Sequence, residues 1–410
     1  MRALRPGGEL AMRDVVVSGI GIVGPQGVGV EALMAGAADA APAFAAWPAS
    51  QEPPNDAAKI ANVAEYPKTR YFTERQLRLM DRAMSLSSFA AGLALEDAGF
   101  NDHNAPKNTA TFLGTSHGEA PAGYNFIAPL LPGNSGRLNG AEFPMIARNI
   151  SCGQIAIRFG LQGPSSVVAS GAIASLEAIA RAFNFVRWGR ADVALVGGFE
   201  TLSKFSLYVA RHFYGQALAE RDPRFFGLSP GFLVPSEGAC MLVLEAGDHA
   251  QSRGARAYAR VDGWRAGRFG RGDASAALLE CWSALLDSLG REHERLGLIA
   301  ASSGGSNRPH ELAEREALTA FLRARAVEAA VCAPRSLVGE GVAWASALQV
   351  ALCAYLLGKR QALPTWNLAS DAPAEIASHA GGGHIAGDGA LVSGSDQFGA
   401  YGALHLSRVD

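Results

Sequence analysis

Ser165-Ser166-Val167-Val168-Ala169-Ser170-Gly171-Ala172-Ile173-Ala174-Ser175-Leu176 is the stretch on which the fold turns. Val167 and Val168 suit a short strand, and Ser170-Gly171 suits a sharp turn. A helix follows: Ile173, Leu176, Ile179, Ala180, Phe183 and Val186 fall on one face, and Arg181 and Arg187 are left for solvent. Arg190-Ala191-Asp192 then reads as a tight turn into the buried strand Val193–Gly198. Strand, turn, helix and strand in this order build a parallel sheet covered by helices. A turn of this kind sets the positive end of a helix beside its corner residue.

Composition is compatible with a large buried α/β core. The chain has 410 residues, 49% hydrophobic and 18% charged, enough for one large core or two fused ones. A net charge of −2 and the lack of basic runs interleaved with aromatics argue against nucleic-acid binding. No apolar run reaches the ~20 residues of a membrane span, and Met1–Ala11 has no apolar core to make it a signal peptide. The five cysteines, Cys152, Cys240, Cys281, Cys332 and Cys353, are scattered and odd in number, which suits reduced thiols in a cytoplasmic protein.

Patterning along the chain predicts strands at Asp14–Ile20, Thr109–Gly114, Gly238–Glu245, Tyr258–Val261, Leu296–Ala301, Gly389–Ser393 and Ala403–Arg408. Helices are expected at Val30–Ala38, Asp81–Ala98, Ser275–Leu289, Glu311–Arg325 and Val342–Leu357. Ala40–Pro67 reads as an irregular surface segment. Gly118–Glu142 reads as a long Gly/Pro-containing excursion, of a length usually functional or interfacial. Residues 1–12 are taken as an extension, 13–250 as one half and 251–410 as a second, divided near the Gln251–Ala255 turn.

Five segments in order resemble the elongating β-ketoacyl synthases of the thiolase fold. Val15–Pro25 is similar to that family's opening strand, and Ile155–Pro164 to the approach to its nucleophile elbow. The elbow itself matches a Thr-Ala-Cys-Ala/Ser-Ser-Gly turn, with Ala172 at the cysteine. Ser236–Glu245 is similar to its Gly-Glu/Asp-Gly-Ala-Gly strand, and Gln397–Gly402 to the glycine-rich gating loop beside the active site. The resemblance covers nearly the whole chain. It implies a five-layered αβαβα sandwich of two similar halves, normally dimeric.

The same resemblance locates two histidine positions, and neither holds histidine. A His-Gly-Thr-x-Thr segment ahead of an acidic helix matches Ser302–Glu314, anchored by Glu311 and Glu314, and puts Ser303 at the first. A Lys-Ser-x-x-Gly-His segment matches Arg335–Glu340, and puts Glu340 at the second. Condensation needs a thiolate to carry the acyl group and two imidazoles to hydrogen-bond the malonyl thioester oxygen. An ionised Glu340 only accepts hydrogen bonds and would repel the malonyl carboxylate. Ala172, Ser303 and Glu340 therefore leave no catalytic residue intact.

Other motifs have plainer readings. Gly19-Ile20-Gly21-Ile22-Val23-Gly24 fits GxGxxG with Asp39 downstream, but Pro25 and Gly27 stand where the nucleotide-binding helix should run. Ser170 lacks the Gly-x-Ser-x-Gly context of a nucleophile and reads as a turn former. His117 reads as a polar group near a dimer interface. His379 and His384 lack a third ligand nearby, so neither a metal nor another cofactor is expected.

The resemblance then implies a chain-length factor. Such a subunit pairs with an active ketosynthase and, through that complex, works on an acyl carrier protein. It caps the acyl tunnel in polyketide or polyene elongation and has no condensing activity of its own. The candidate tunnel and interface residues are Tyr124, Phe126, Phe143, Met145 and Phe398. The alternative is a thiolase-fold acyltransferase or hydrolase that reuses the pocket through Glu340, Ser303 or a neighbouring cysteine.

Overall fold

Ten strands form one continuous path, made of two sets with the same internal order. The computed structural model describes residues 12–39, 42–47, 59–100, 104–133, 136–214, 222–270, 272–290, 295–325 and 328–409. Strands β1 (Val15–Gly24), β2 (Ala110–Gly114), β3 (Ser165–Val168), β4 (Val193–Glu200) and β5 (Gly238–Ala246) lie in the order β3-β2-β4-β5-β1. Strands β6 (Ala259–Arg268), β7 (Leu296–Ala300), β8 (Ala330–Cys332), β9 (Gly389–Ser395) and β10 (Ala400–Ser407) follow as β8-β7-β9-β10-β6. In each set the first three strands of that order are parallel and the other pairings antiparallel. The sets meet where Val15–Val17 pairs antiparallel with Ala259–Val261.

Alternation along the strands sorts side chains into three cores. On one face of the first set, Val193, Leu195, Met241 and Val243 pack under helices α1 (Arg82–Asp97) and α2 (Ile150–Phe159). On the other face, Ala194, Val196, Leu242 and Leu244 join Leu298, Ala300, Val392 and Leu404 of the second set. This middle core encloses helices α3 (Ala174–Arg187) and α4 (Ala343–Lys359). The far face of the second set, with Ile299 and Leu391, is covered by α5 (Ala274–Ser288) and α6 (Pro309–Arg325). The result is the expected αβαβα sandwich. Helix α4 is apolar all round, as a helix between two sheets must be.

Two elements differ from expectation. Strand β1 runs on to Gly24, so Gly19, Gly21 and Gly24 lie within a strand and form no nucleotide-binding turn. A side chain at Gly19 would collide with the Ala94 carbonyl, and one at Gly21 with the Ala90 carbonyl. Glycine here lets α1 sit against β1 at backbone distance. The Gly118–Glu142 excursion contains a helix, Ala120–Ile127, with 3₁₀ turns at Ala128–Leu130 and Gly140–Ile146. Pro121 lies in the first turn of that helix, where proline costs no hydrogen bond. In the Ala40–Pro67 segment, Ala45–Ala46 pairs with Lys59–Ile60, while residues 1–11, 40–41 and 48–58 lie outside the described residues. Among the described residues no helix is long and apolar enough to cross a membrane.

Candidate functional site

The elbow delivers Ala172 to the wall of a cavity. From β3 the chain turns through Ser170 into the short helical segment Gly171–Ile173 and then α3. Gly171 has φ +71°, and a Cβ there would strike the Asp396 carboxylate. Ser170 donates its hydroxyl to Glu177 at 3.0 Å, which gives it the turn-holding role expected. The Ala172 carbonyl accepts from the Ser346 hydroxyl of α4 at 2.6 Å. The cavity beside Ala172 has a volume of about 80 Å³. Glu340, Val342, Asp396, Phe398, His117, Glu200, Ser206 and Ser236 line it together with apolar side chains such as Leu202, Val209 and Leu233.

Ser303 does not share this wall. Its hydroxyl points to Glu311 at 3.3 Å, within a loop wound around two buried carboxylates. Glu311 also accepts from the Gly305 and Asn307 amides (3.1 and 3.0 Å) and the Ser306 hydroxyl (2.6 Å). Glu314 accepts from the Ser302 amide at 2.9 Å, the Ser302 hydroxyl at 2.8 Å and Ser393. The acidic anchors thus shape the loop and turn Ser303 inward.

Glu340 does face the cavity. Its backbone is pinned by bonds to Val234 and Ser236, and its carboxylate accepts from the Val342 amide at 2.8 Å. Arg335, buried behind it, brings Nε to 3.4 Å from the carboxylate and donates Nη1 to the Ser302 carbonyl. Burial pushes the Glu340 carboxyl above its ordinary range, against the opposing pull of Arg335. Val342 holds this corner at φ 49° and ψ −111°, a left-handed conformation that is costly for a β-branched residue.

His117 stands at the cavity wall. Its Nδ1 lies 3.7 Å from Glu200, whose carboxylate is held by the Ser116 and His117 amides and the Thr115 hydroxyl. Burial lowers the imidazole pKa, but the Glu200 partner outweighs it and the net direction is upward. No sequence spacing could have paired them: parallel β2 and β4 bring residues 83 positions apart together.

Residues 12–250 match the Beta-ketoacyl synthase, N-terminal domain family. The chain is a β-ketoacyl synthase family member. Among its relatives are the tetracenomycin polyketide synthase ketoacyl synthase alpha subunit of Streptomyces glaucescens, 27% identical over 87% of this chain and 88% of that protein. The 3-oxoacyl-[acyl-carrier-protein] synthase 2 of Coxiella burnetii is 26% identical over 87% of this chain and 88% of that one. The fold matches the ishigamide ketosynthase/chain length factor structure with a TM-score of 0.88 at 22% identity, covering 98% of this chain and 100% of the other. A type II polyketide synthase acyl carrier protein in complex with its ketosynthase, bound to the hexaketide, matches at TM-score 0.84 and 20% identity over 97% and 100% of the two chains.

Within this β-ketoacyl synthase family member, the other candidate residues fall in two places. Phe398 lines the cavity and is 52% exposed. Tyr124, Phe126, Phe143 and Met145 lie on the Ala120–Ile146 surface, where the Phe126 and Phe143 rings are 5.8 Å apart and Tyr124 is 6.2 Å from Phe205. Ile127, Leu130, Leu131 and Leu138 are exposed beside them. All five cysteines are buried and free, and burial pushes their thiols upward, Cys152 to about 12 and Cys281 to about 11. None resembles a poised nucleophile. Among the described residues no cluster of three metal-ligating side chains occurs, and His379 is occupied with the Glu375 carbonyl at 2.7 Å.

Proposed function

We propose that this chain is a non-condensing, chain-length-factor subunit. On this reading it pairs with an active ketosynthase and closes the acyl tunnel during polyketide or polyene elongation on an acyl carrier protein. Residues 13–250 and 251–410 would be its two halves. The observation that carries the reading is the cavity at Ala172. It keeps the elbow, the Glu340 loop and the Phe398 loop of the family, yet offers a methyl group where a thiolate would be needed. The exposed apolar surface around Tyr124, Ile127, Leu130 and Phe143 supports a partner, because a patch of such side chains marks an interaction site. The printed names of its relatives, polyketide ketoacyl synthase and ketosynthase/chain length factor, fit the same reading.

Co-expression with a ketosynthase encoded beside it, followed by size-exclusion chromatography, tests the pairing. A stable heterodimer is expected; a monodisperse homodimer indifferent to its partner overturns it. Ala172→Cys tests the loss of condensation. The mutant thiol is expected to accept an acyl group from an activated donor without extending it, since Ser303 is turned to Glu311 and Glu340 is no imidazole. Extension by the single mutant alone, read by mass spectrometry, contradicts the assignment.

A further inference from the structure

The exposed apolar surface carries a charge pattern that decides what can sit on it. Three segments build that surface. The helix Ala120–Ile127 packs on the Gly140–Ile146 turn, where the Phe126 and Phe143 rings are 5.8 Å apart. It also packs on the helix Lys204–Tyr214, where Tyr124 is 6.2 Å from Phe205. Gly136 closes against Pro129, which seats Arg137 and Leu138 beside the Ala128–Leu130 turn. Leu130, Phe143 and Tyr208 are each more than half exposed, an apolar area of the kind that marks an interaction site.

Charge around these apolar groups has one prevailing sign. Among the described residues of 119–150 and 204–212, the exposed cations are Arg137, Arg148, Lys204 and Arg211, and the one exposed carboxylate is Glu142. Lys204, Tyr208 and Arg211 stand at i, i+4 and i+7, so cation, ring and cation share one helix face. The whole chain has a net charge of −2, so this basic face is a local arrangement.

Symmetry turns that pattern into a choice of partner. Two copies of one chain pair most often about a twofold axis, which sets the same face against itself. The apolar centres would match, but the four cations of each copy would find one carboxylate on the other. Like charges set together at an interface suppress that pairing, and an acidic rim on a different chain promotes its own. Three of the four cations are arginine, the cation enriched at protein interfaces where lysine is depleted. That composition favours a protein occupant over an anionic lipid surface.

Building on the partner reading above, we infer that this face takes a second subunit with an apolar centre and a carboxylate-bearing rim, and that its cations exclude a second copy of this chain. The aromatic and aliphatic side chains supply contact area. Arg137, Arg148, Lys204 and Arg211 supply the selection.

The chain itself can furnish the acidic partner. A variant with Arg137→Glu, Arg148→Glu, Lys204→Glu and Arg211→Glu keeps the apolar centre and reverses the rim. Full-length wild type, the variant and an equimolar mixture are followed by analytical ultracentrifugation. The mixed pair is expected to form at least ~10-fold more tightly than wild type pairs with itself. Most of that advantage is expected to vanish between about 50 mM and about 500 mM salt. Arg137→Glu with Arg148→Glu alone is expected to act in the same direction, which covers a fuller variant that does not fold. Wild type that self-pairs as tightly as the mixture, no association in any mixture, or an advantage indifferent to salt each overturns the inference. So does wild-type binding to phosphatidylglycerol vesicles that the variant loses, which would make the face a lipid contact. The assay needs no ketosynthase, so its failure removes the charge rule and leaves the pairing itself to be judged by co-expression.

Discussion

The two strand sets share one order but finish their outer edges differently. The second set ends at β8, whose Val331 amide donates to the His379 carbonyl at 2.9 Å and whose neighbour Ala333 donates to the Thr365 hydroxyl at 3.1 Å. That edge is wrapped by its own chain. The first set ends at β3, where Ser165 is exposed, Ser166 and Val167 are half-buried, and no strand lies on the outer side among the described residues. In the same half of the chain, Tyr124, Ile127, Leu130, Leu131 and Phe143 face solvent. An open edge or an exposed apolar patch is a liability in a solitary protein and a docking surface in an assembled one. The difference is that the outer edge of the second set is covered by its own chain, while among the described residues no strand covers that of the first.

The comparison breaks most severely if the covered edge tolerates damage. Val331→Asp places an unpartnered carboxylate at a fully buried position, and a loss of about 4 kcal/mol or more is expected in chemical denaturation. Phe143→Asp, on the open side, is expected to leave the free chain's melting temperature nearly unchanged and to weaken assembly by roughly 2 kcal/mol or more, read as a shift in the dissociation constant. If both variants unfold alike, the two sides do not differ in kind.

Glu119 sharpens the contrast. It precedes the Ala120–Ile127 helix under the open surface, 4% exposed, and burial pushes its carboxyl up to about 8. An acid whose folded pKa exceeds its unfolded value binds more protons when folded. Stability therefore falls as pH rises from about 4.5 to about 8, and the penalty is complete above that. Glu119→Gln removes the penalty, so its stability gain over wild type should grow across this window to something on the order of 5 kcal/mol at pH 9. Equal gains at pH 5 and pH 9 contradict this. The smallest energetic change is expected from Tyr124→Ala and Phe126→Ala in the co-expressed complex, which should lengthen the product by one or more extension units while assembly persists. Unchanged product masses with the complex intact remove the tunnel-stop assignment from this surface.

Much of this was legible because local pattern and fold agree. The Val167–Gly198 stretch gives strand, turn, helix and strand at the positions its residues predict. Ala172, the residue aligned with the elbow's corner, does line the cavity. Direction was not legible. Ser303 occupies the aligned position, yet Glu311, eight residues on, claims its hydroxyl. The upward pull on the Glu340 carboxyl comes from burial, which no motif encodes. The Ala120–Ile127 helix hid because Gly and Pro read as breakers, although a proline in a helix's first turn is at home. The His117–Glu200 pair was not legible because the two meet through sheet pairing.

Val342 has one last consequence. Its left-handed backbone is a corner that glycine would take without strain, and the chain takes it with a branched side chain instead. Glycine there would loosen the corner; valine stiffens it. Because the same residue's amide clips the Glu340 carboxylate, the acid behaves like a fixed post and not a swinging arm. Whatever enters the cavity must come to Glu340, for Glu340 has been given no freedom to go to it.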